Sequence, residues 1–227
     1  MSTPADDGPP GGGAPTITPE AAVSRALTLV DEALRTGSRR ILGIAGAPGA
    51  GKSTLTALLA ERLPAGTCTV VPMDGFHLAD VALERLGRLD RKGAPDTFDA
   101  SGYQALLQRL RTSLPQDPSV WAPMFERDLE QPIAGAIEVP GDVPLVVTEG
   151  NYLLSADDPF ARVASMLDAR WFVTVPEEQR HQRLIARHER FGKSPTQARD
   201  WALGPDEANA RLVAPTRSRA DAIVRLD

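Results

Sequence analysis

The segment Gly46-Ala47-Pro48-Gly49-Ala50-Gly51-Lys52-Ser53 has the residue types and spacing that point most directly to chemistry. It fits G-x-x-x-x-G-K-[ST], in which glycines let successive backbone N–H groups turn towards phosphate oxygens. The lysine adds a positive charge at the β- and γ-phosphates, and the hydroxyl is a ligand for Mg²⁺. An apolar strand precedes this segment and a helix follows it, so the sequence predicts a nucleotide phosphate site over residues 46–54, which includes Thr54.

Two carboxylates stand at the ends of apolar strands, where open α/β sheets bind their ligands. Asp74 follows Val70–Met73 and can accept the proton of a hydroxyl that attacks the γ-phosphorus. The alternative is a turn aspartate before Gly75. Glu149 follows a valine-rich strand and suits the Mg²⁺ shell, and its alternative is an exposed glutamate at a strand end.

A phosphate loop alone does not choose between kinases, GTPases and transporter ATPases. The two asparagines, Asn151 and Asn209, are not followed by lysine, so the N-K-x-D motif by which GTPases recognise guanine is missing. The L-S-G-G-Q stretch of transporter ATPases is missing as well. We therefore predict a small-molecule kinase. The rival hypothesis is an ATPase or nucleotide-binding regulatory protein that has no small-molecule acceptor.

Four arginines recur at helical spacing on the stretch from Pro176 to Arg190, namely Arg180, Arg183, Arg187 and Arg190. They share one helix face, which predicts a lid over about residues 176–200. Arg183 and Arg187 are the members that we expect to stabilise charge on the transferred phosphoryl group. The alternative is a solvated amphipathic helix.

Short apolar strands alternate with helical stretches along the chain, which indicates an α/β fold. The expected architecture is a P-loop NTPase three-layer fold, with a mainly parallel five-stranded sheet, helices on both faces, a small hairpin and the helical lid. The predicted strands are 40–45, 68–73, 145–148, 171–175 and 222–226, and the hairpin joins 120–125 to 133–139. Residues 1–17, rich in glycine and proline, are predicted to be a disordered tail. Residues 18–227 are predicted to be one domain, whose first helix begins after Thr18 and ends at Gly37.

Composition limits the possible partners and the compartment. The 227 residues carry a formal net charge of -5, which argues against binding nucleic acid through a global basic surface. A single cysteine, Cys68, excludes an intramolecular disulfide. No apolar run is long enough to span a membrane, and Met1–Pro15 lacks the features of a secretory leader. We expect a cytoplasmic protein without membrane partners, either a monomer or a homodimer.

Three segments together resemble one branch of the P-loop kinases: Met73–His77, Arg91–Asp99 and Thr148–Tyr152. That branch contains uridine kinase, phosphoribulokinase and bacterial pantothenate kinase. The nearest resemblance is to short bacterial proteins described as nucleoside/nucleotide kinase-like or fructose-kinase-like. The resemblance implies that the protein uses ATP and Mg²⁺. It also implies that Asp74 is the catalytic base, that Lys52 is a catalytic residue that binds the phosphates, and that Ser53 and Glu149 are ligands of the metal.

The resemblance also implies a set of acceptor residues: Asp74, His77, Arg91, Lys92, Asp99, Asn151 and Tyr152. Arg127 suits an anionic or polyhydroxylated acceptor by its own chemistry, and its alternative is an ion pair with Glu126 or Asp128. For Arg91, Lys92 and Asp99 a solvated charged turn is the alternative. The segment Trp121–Arg127 aligns with A-P-V-Y-S-H of pantothenate kinases, but Phe125, Glu126 and Arg127 replace Tyr, Ser and His. This departure argues against pantothenate. The expected acceptors are therefore a sugar or sugar-like metabolite, then a nucleoside, then a pantothenate-like alcohol. The resemblance also implies that Asn209 and the stretch before Ala222 border the adenine pocket.

Overall fold

The computed structural model describes residues 13–226, and the first twelve residues of the predicted tail lie outside that range. The described part contains seven helices and eight strands. The strands are β1 (Thr16–Ile17), β2 (Arg40–Ala45), β3 (Cys68–Val70), β4 (Val120–Glu126), β5 (Gln131–Val139), β6 (Leu145–Gly150), β7 (Ala169–Thr174) and β8 (Ala222–Arg225). The helices are α1 (Pro19–Thr36), α2 (Lys52–Arg62), α3 (Asp80–Leu86), α4 (Ala100–Thr112), α5 (Glu177–Arg190), α6 (Pro195–Leu203) and α7 (Pro205–Val213).

Six strands form one sheet in the order β1-β8-β7-β2-β6-β3, and every pair in it is parallel. β4 and β5 form a separate antiparallel hairpin. Alternate residues of the central strands face opposite sides of the sheet, since Ile41 packs with α4 whereas Leu42 packs with α1 and α2. The protein therefore has the three-layer α/β fold that the alternation of strands and helices predicts.

The predicted five-stranded sheet has a sixth strand in the structure. Thr16 and Ile17 pair with Ile223 and Val224 of β8, although composition placed both residues in the tail. The tail prediction is therefore wrong at its C-terminal end, because two residues are too few to show strand periodicity. Ile17 also packs against the core on the α1 side of the sheet. No described helix has the length and apolar character needed to cross a lipid bilayer.

The helix boundaries follow ordinary capping chemistry. The Thr18 side chain accepts a hydrogen bond from the Ala21 N–H at the start of α1, and Gly37 ends this helix in the left-handed conformation, as predicted. β3 is shorter than expected, because the chain leaves the sheet after Val70 and forms a 3-10 turn over Met73–Phe76. Asp74 therefore lies in a turn just beyond the strand end.

Candidate active site

The phosphate loop lies between β2 and α2, at the centre of the sheet's carboxyl edge. Gly49 and Gly51 have φ angles of 77° and 94°, which favour glycine. A Cβ on Gly49 would also lie 2.9 Å from the backbone oxygen of Arg180. These glycines therefore let the loop curl tightly beneath α5. At Gly51 the loop passes into α2, whose N-terminus faces the cleft.

Lys52 is the first residue of α2, and its side chain folds back over the loop. Its Nζ donates to the backbone oxygens of Gly46 and Ala47 at 3.0 and 3.2 Å, and to Asn151 Oδ1 at 2.7 Å. Burial lowers the pKa of Lys52, and the negative charge of Glu149 opposes this effect. The amine is therefore held in a fixed position beside the loop backbone.

Ser53 and Glu149 place two hard oxygen donors side by side. The Ser53 hydroxyl donates to Glu149 Oε1 at 2.8 Å, and Glu149 is 5% exposed. Burial raises the pKa of Glu149, whereas the nearby Lys52 charge lowers it. A hydroxyl and a carboxylate at this separation fit the oxygen preference of Mg²⁺, so these residues suit the metal that the sequence predicts.

Asp74 lies beside β6, because β3 and β6 are neighbours in the sheet. Burial would raise the pKa of Asp74, but the combined electrostatic influence of His77, Arg127, Lys52 and Arg187 holds that pKa below its usual value. Arg127 Nη2 lies 3.4 Å from Asp74 Oδ2. His77 Nδ1 lies 2.7 Å from the Asp74 backbone oxygen, and burial lowers the pKa of its imidazole. Asp74 is thus an ionised carboxylate in a cleft that contains several cations.

The lid arginines separate into two groups. Arg183 and Arg187 line the cleft, and the Arg183 Nη1 atom is buried without a hydrogen-bond partner among the described residues. This orphaned donor lies near Gly51 in the phosphate loop, so the site fits an anionic phosphate. Arg180 pairs with Glu207 instead, and Arg190 lies over its neighbour Phe191. The four arginines therefore do not act as one face.

The predicted acceptor residues fall into two groups, those that line the cleft and those that lie outside its lining. Four of them line the cleft together with Asp74, namely His77, Lys92, Arg127 and Asn151. The Lys92 ammonium lies 2.6 Å from Asp80 Oδ1 and 5.3 Å from the centre of the Phe125 ring. The hairpin and the loop after α3 thus meet at the acceptor side of the cleft.

Three predicted acceptor residues, Arg91, Asp99 and Tyr152, lie outside the described lining of the cleft. Arg91 pairs with Asp96 at 2.7 Å, in the charged turn that was the alternative interpretation. Asp99 caps α4 by accepting from the Gly102 N–H at 2.8 Å. The buried Tyr152 donates its hydroxyl to a backbone oxygen at 2.6 Å, which fixes the loop around Gly93. All three stabilise segments next to the cleft.

Sequence reasoning missed the far wall of the cleft, which α5, α6 and α7 supply. His188, Trp201 and Asp206 line it together with Asn209. A Cβ on Gly93 would lie 3.8 Å from Asn209 Nδ2, which favours the acceptor side over an adenine pocket for this asparagine. Pro205 followed by two acids is a helix-start pattern that could have revealed α7.

The cleft encloses about 520 Å³ and joins the phosphate loop, both strand-end carboxylates, two lid arginines and the acceptor-side residues. The buried Tyr103 hydroxyl lies 2.7 Å from Thr148 Oγ1, which itself donates to the Val71 backbone oxygen. Thr148 immediately precedes Glu149, so these bonds anchor the strand end that carries the metal-side carboxylate. This arrangement can bind a nucleotide and place a second molecule beside its terminal phosphate.

Comparison with known proteins agrees with this geometry. Residues 41–226 match the model of the Phosphoribulokinase / Uridine kinase family. A Schizosaccharomyces pombe protein named "Putative uridine kinase C227.14" is 33% identical, over 69% of each chain. A pantothenate kinase from Chelativorans sp. is 27% identical, over 82% of this chain and 67% of the relative.

The fold is also found in a solved structure. The crystal structure of a "putative fructose transport system kinase" from Silicibacter sp. TM1040 is 37% identical in sequence and superimposes with a TM-score of 0.78. The match covers 91% of this chain and 98% of that one. The chain belongs to the Phosphoribulokinase / Uridine kinase family, and it is a small-molecule kinase.

Proposed function

We propose that this protein transfers the γ-phosphoryl group of ATP to a hydroxyl group of a small metabolite. The observation that carries the proposal is the meeting of three features in one cleft: the phosphate loop after β2, Glu149 at the end of β6 and Asp74 beyond β3. These three strands are neighbours, so their carboxyl ends bring the groups together.

ATP binds along residues 46–54 in this proposal. The loop N–H groups and the N-terminus of α2 hold the phosphates, and Lys52 supplies a full positive charge. Arg183 and Arg187 approach from α5 and exclude water, which matters because hydrolysis competes with transfer. Mg²⁺ held by Ser53 and Glu149 supplies further charge neutralisation at the phosphates.

Asp74 serves the acceptor. Its carboxylate orients the acceptor hydroxyl and takes its proton, while the hydroxyl oxygen forms a bond to the γ-phosphorus. The bond from that phosphorus to the bridging oxygen breaks, and ADP leaves. The lowered pKa of Asp74 favours the ionised carboxylate that can accept the proton, and the same shift weakens its basicity, so orienting the hydroxyl is part of its task. Proximity and charge stabilisation supply most of the rate enhancement.

The acceptor lies among His77, Lys92, Arg127 and Asn151. A sugar or sugar-like metabolite is the first candidate class, a nucleoside the second and a pantothenate-like alcohol the third. The compartment that we propose is the cytoplasm, since ATP is made available there, and the protein acts as a monomer or homodimer.

The deciding experiment measures ADP release with Mg²⁺ and ATP, in the presence and absence of a panel of hydroxyl compounds. Mass spectrometry then detects the phosphorylated product. We expect ADP release to depend on an acceptor, with one phosphorylated product formed per ADP. ADP release that no compound stimulates, accompanied by free phosphate, would instead identify an ATPase without an acceptor.

A further inference from the structure

The cleft has a wall that the proposed phosphoryl transfer does not use. It is formed by His188 of α5, Trp201 of α6, and Asp206 and Asn209 of α7, and we call these four residues the α7 wall. The wall faces the loop around Gly93, which carries the acceptor-side Lys92.

Asn209 is mostly buried, but its side-chain amide is open to the cleft and has no hydrogen-bond partner among the described residues. It is 8% exposed, and its side chain makes no hydrogen bond within residues 13–226 although it lines the cleft. Its amide atoms are open to the cleft and are not sealed from solvent, so they are available to a ligand that enters it. Because an amide both donates and accepts, a hydroxyl group is a suitable partner.

Asp206 lies three residues before Asn209 on the same helix, so the two side chains are neighbours. Asp206 is 8% exposed, and its Oδ2 lies 2.7 Å from His188 Nε2. Its Oδ1 has no hydrogen bond among the described residues and remains free to accept. Burial raises the pKa of Tyr152, and the charges of Asp74 and Asp206 raise it further, which agrees with Tyr152 lying near both carboxylates.

The charges of the cleft disfavour an anion beside this wall. On the opposite side Arg127 faces Asp74, and Lys92 faces Asp80, so both cations already have carboxylate partners. A buried carboxylate at Asp206 repels a second negative charge. Arg187 and Lys193 are the contrary features, because neither has a carboxylate partner among the described residues and both favour an anionic acceptor. Arg187 is assigned to the phosphates of ATP, whereas Lys193 lies over Trp201. Its ammonium is 4.9 Å from the indole centroid, which already gives it a favourable contact.

We propose that Asp206 and Asn209 bind two hydroxyl groups of an uncharged polyhydroxylated acceptor, at positions other than the hydroxyl that is phosphorylated. Asp206 Oδ1 accepts from one hydroxyl, and the Asn209 amide bonds the other. His188 holds the Asp206 carboxylate in place, and Trp201 adds apolar surface for the carbon face of the acceptor. This inference rests on the proposed kinase function and narrows its acceptor class to sugars, polyols and the sugar part of nucleosides.

The first test compares two sets of acceptors on the full chain with ATP and Mg²⁺. The neutral set is D-fructose, D-ribose, glycerol and uridine, and the anionic set is D-gluconate, D-glycerate, ribose 5-phosphate and D-pantothenate. Transfer to a neutral compound supports the inference. Preferred transfer to the anionic set overturns it while the kinase function stands. If ATP binds but neither set is phosphorylated, the kinase function fails and this inference falls with it.

The second test uses the variants Asp206→Asn and Asn209→Ala with the neutral compound that is accepted best. Losing a hydrogen bond that involves a charged group lowers kcat/KM for the acceptor by about 10–100-fold, with somewhat less expected at Asn209. The KM for ATP should stay within threefold, a split that a purely structural role would not produce. Arg211→Ala is the matched control, because this side chain is exposed on the same helix. Acceptor kinetics within twofold of wild type in both variants would overturn the inference.

A deoxy analogue of the accepted compound completes the design. If Asp206 binds a given hydroxyl, the analogue that lacks this hydroxyl should have a kcat/KM at least 10-fold lower with the wild type. With Asp206→Asn the kcat/KM for the same analogue should hardly fall. Equal penalties in both proteins for every hydroxyl would contradict the assignment. Asn209→Ala keeps the test decisive if Asp206→Asn unfolds, since the Asn209 side chain has no hydrogen bond within residues 13–226 to lose.

Discussion

At the scale of single residues, the two strand-end carboxylates differ in their electrostatic environment. Burial raises the pKa of Glu149, whereas at Asp74 the nearby cationic groups together outweigh burial and lower the pKa. Paired carboxylates whose environments push their pKa values apart commonly have different tasks. The proposed roles, with Asp74 at the acceptor and Glu149 at the metal, rest on the positions of the two strand ends beside the phosphate loop and not on these pKa shifts.

Asp74→Asn tests the acceptor role, because the amide keeps the size of the side chain but loses its charge and basicity. We expect transfer under saturating ATP to fall by about 10²–10⁴, the usual worth of general base catalysis. ATP affinity, measured by calorimetry, should stay within a few-fold. Asp96→Asn is the control, since that carboxylate pairs with Arg91 outside the cleft lining. Lost nucleotide binding with a proportionate loss of transfer would make Asp74 a nucleotide or metal ligand.

Lys52→Ala removes the charge aimed at the β- and γ-phosphates. Turnover should fall by roughly 10²–10³ or more, because a fixed charge in a water-excluded site stabilises the transition state strongly. The fold should persist, as judged by circular dichroism and the melting temperature. Arg62→Ala, an exposed change at the other end of α2, controls for helix effects. Turnover equal to that of the wild type would contradict the phosphate-site assignment.

At the scale of elements, the sequence was most informative where chemistry and local pattern coincide. The phosphate loop has a fixed spacing, and the strand ends carrying Asp74 and Glu149 could be predicted because parallel strands end at one edge of the sheet. What escaped prediction depends on distant contacts. Arg39 is buried and donates to the backbone oxygens of Val143, Leu110, Pro140 and Gly141, partners 71 to 104 residues away in sequence. The local pattern of apolar and polar residues cannot predict hydrogen bonds between residues that are so far apart in sequence.

The position of the β4–β5 hairpin depends on Gly75, in the turn that carries Asp74. A Cβ on Gly75 would clash with the Pro123 backbone oxygen of β4, so Gly75→Ala must displace the hairpin and Arg127 with it. Moving a group of the site by about 1 Å lowers the rate by about 10²-fold, so we expect Gly75→Ala to lower kcat/KM for the acceptor by about that factor. Fluorescence titration should show nearly unchanged ATP binding.

Gly135→Ala is the control for this prediction. Gly135 lies in the same hairpin, and its φ of 65° makes alanine strained, but an added Cβ meets no atom within 4 Å. It should lower hairpin stability without moving Arg127, so acceptor kinetics should change little. Equal kinetic losses in the two variants would mean that general hairpin stability, and not close packing at Asp74, controls the acceptor site.

At the scale of the whole molecule, the short strand β1 at the edge of the sheet pairs with β8, and the residue after β8 packs against the phosphate loop. β1 pairs with β8, and the Ile223 N–H donates to the Pro15 backbone oxygen at 2.9 Å. Leu226 follows β8 and packs against the loop, since a Cβ on Gly51 would lie 2.6 Å from Leu226 Cδ1. Composition predicted that residues 1–17 are dispensable. The structure predicts instead that the end of this segment supports the nucleotide site.

Two deletions separate these expectations. Residues 1–12 are rich in glycine and proline and contain no large apolar side chain beyond Met1, so their removal should change the melting temperature by less than about 2 °C. Removing residues 1–17 deletes β1 and the packing of Ile17, which together are worth about 2 kcal/mol. For a chain of this size that loss lowers the melting temperature by roughly 4–8 °C.

Ile17→Ala should lower the melting temperature by part of that amount, because only the apolar contact is lost. ATP affinity should weaken slightly in the longer deletion, through β8 and Leu226, and stay unchanged in the shorter one. Equal melting temperatures for the two deletions would show that β1 contributes nothing to the sheet.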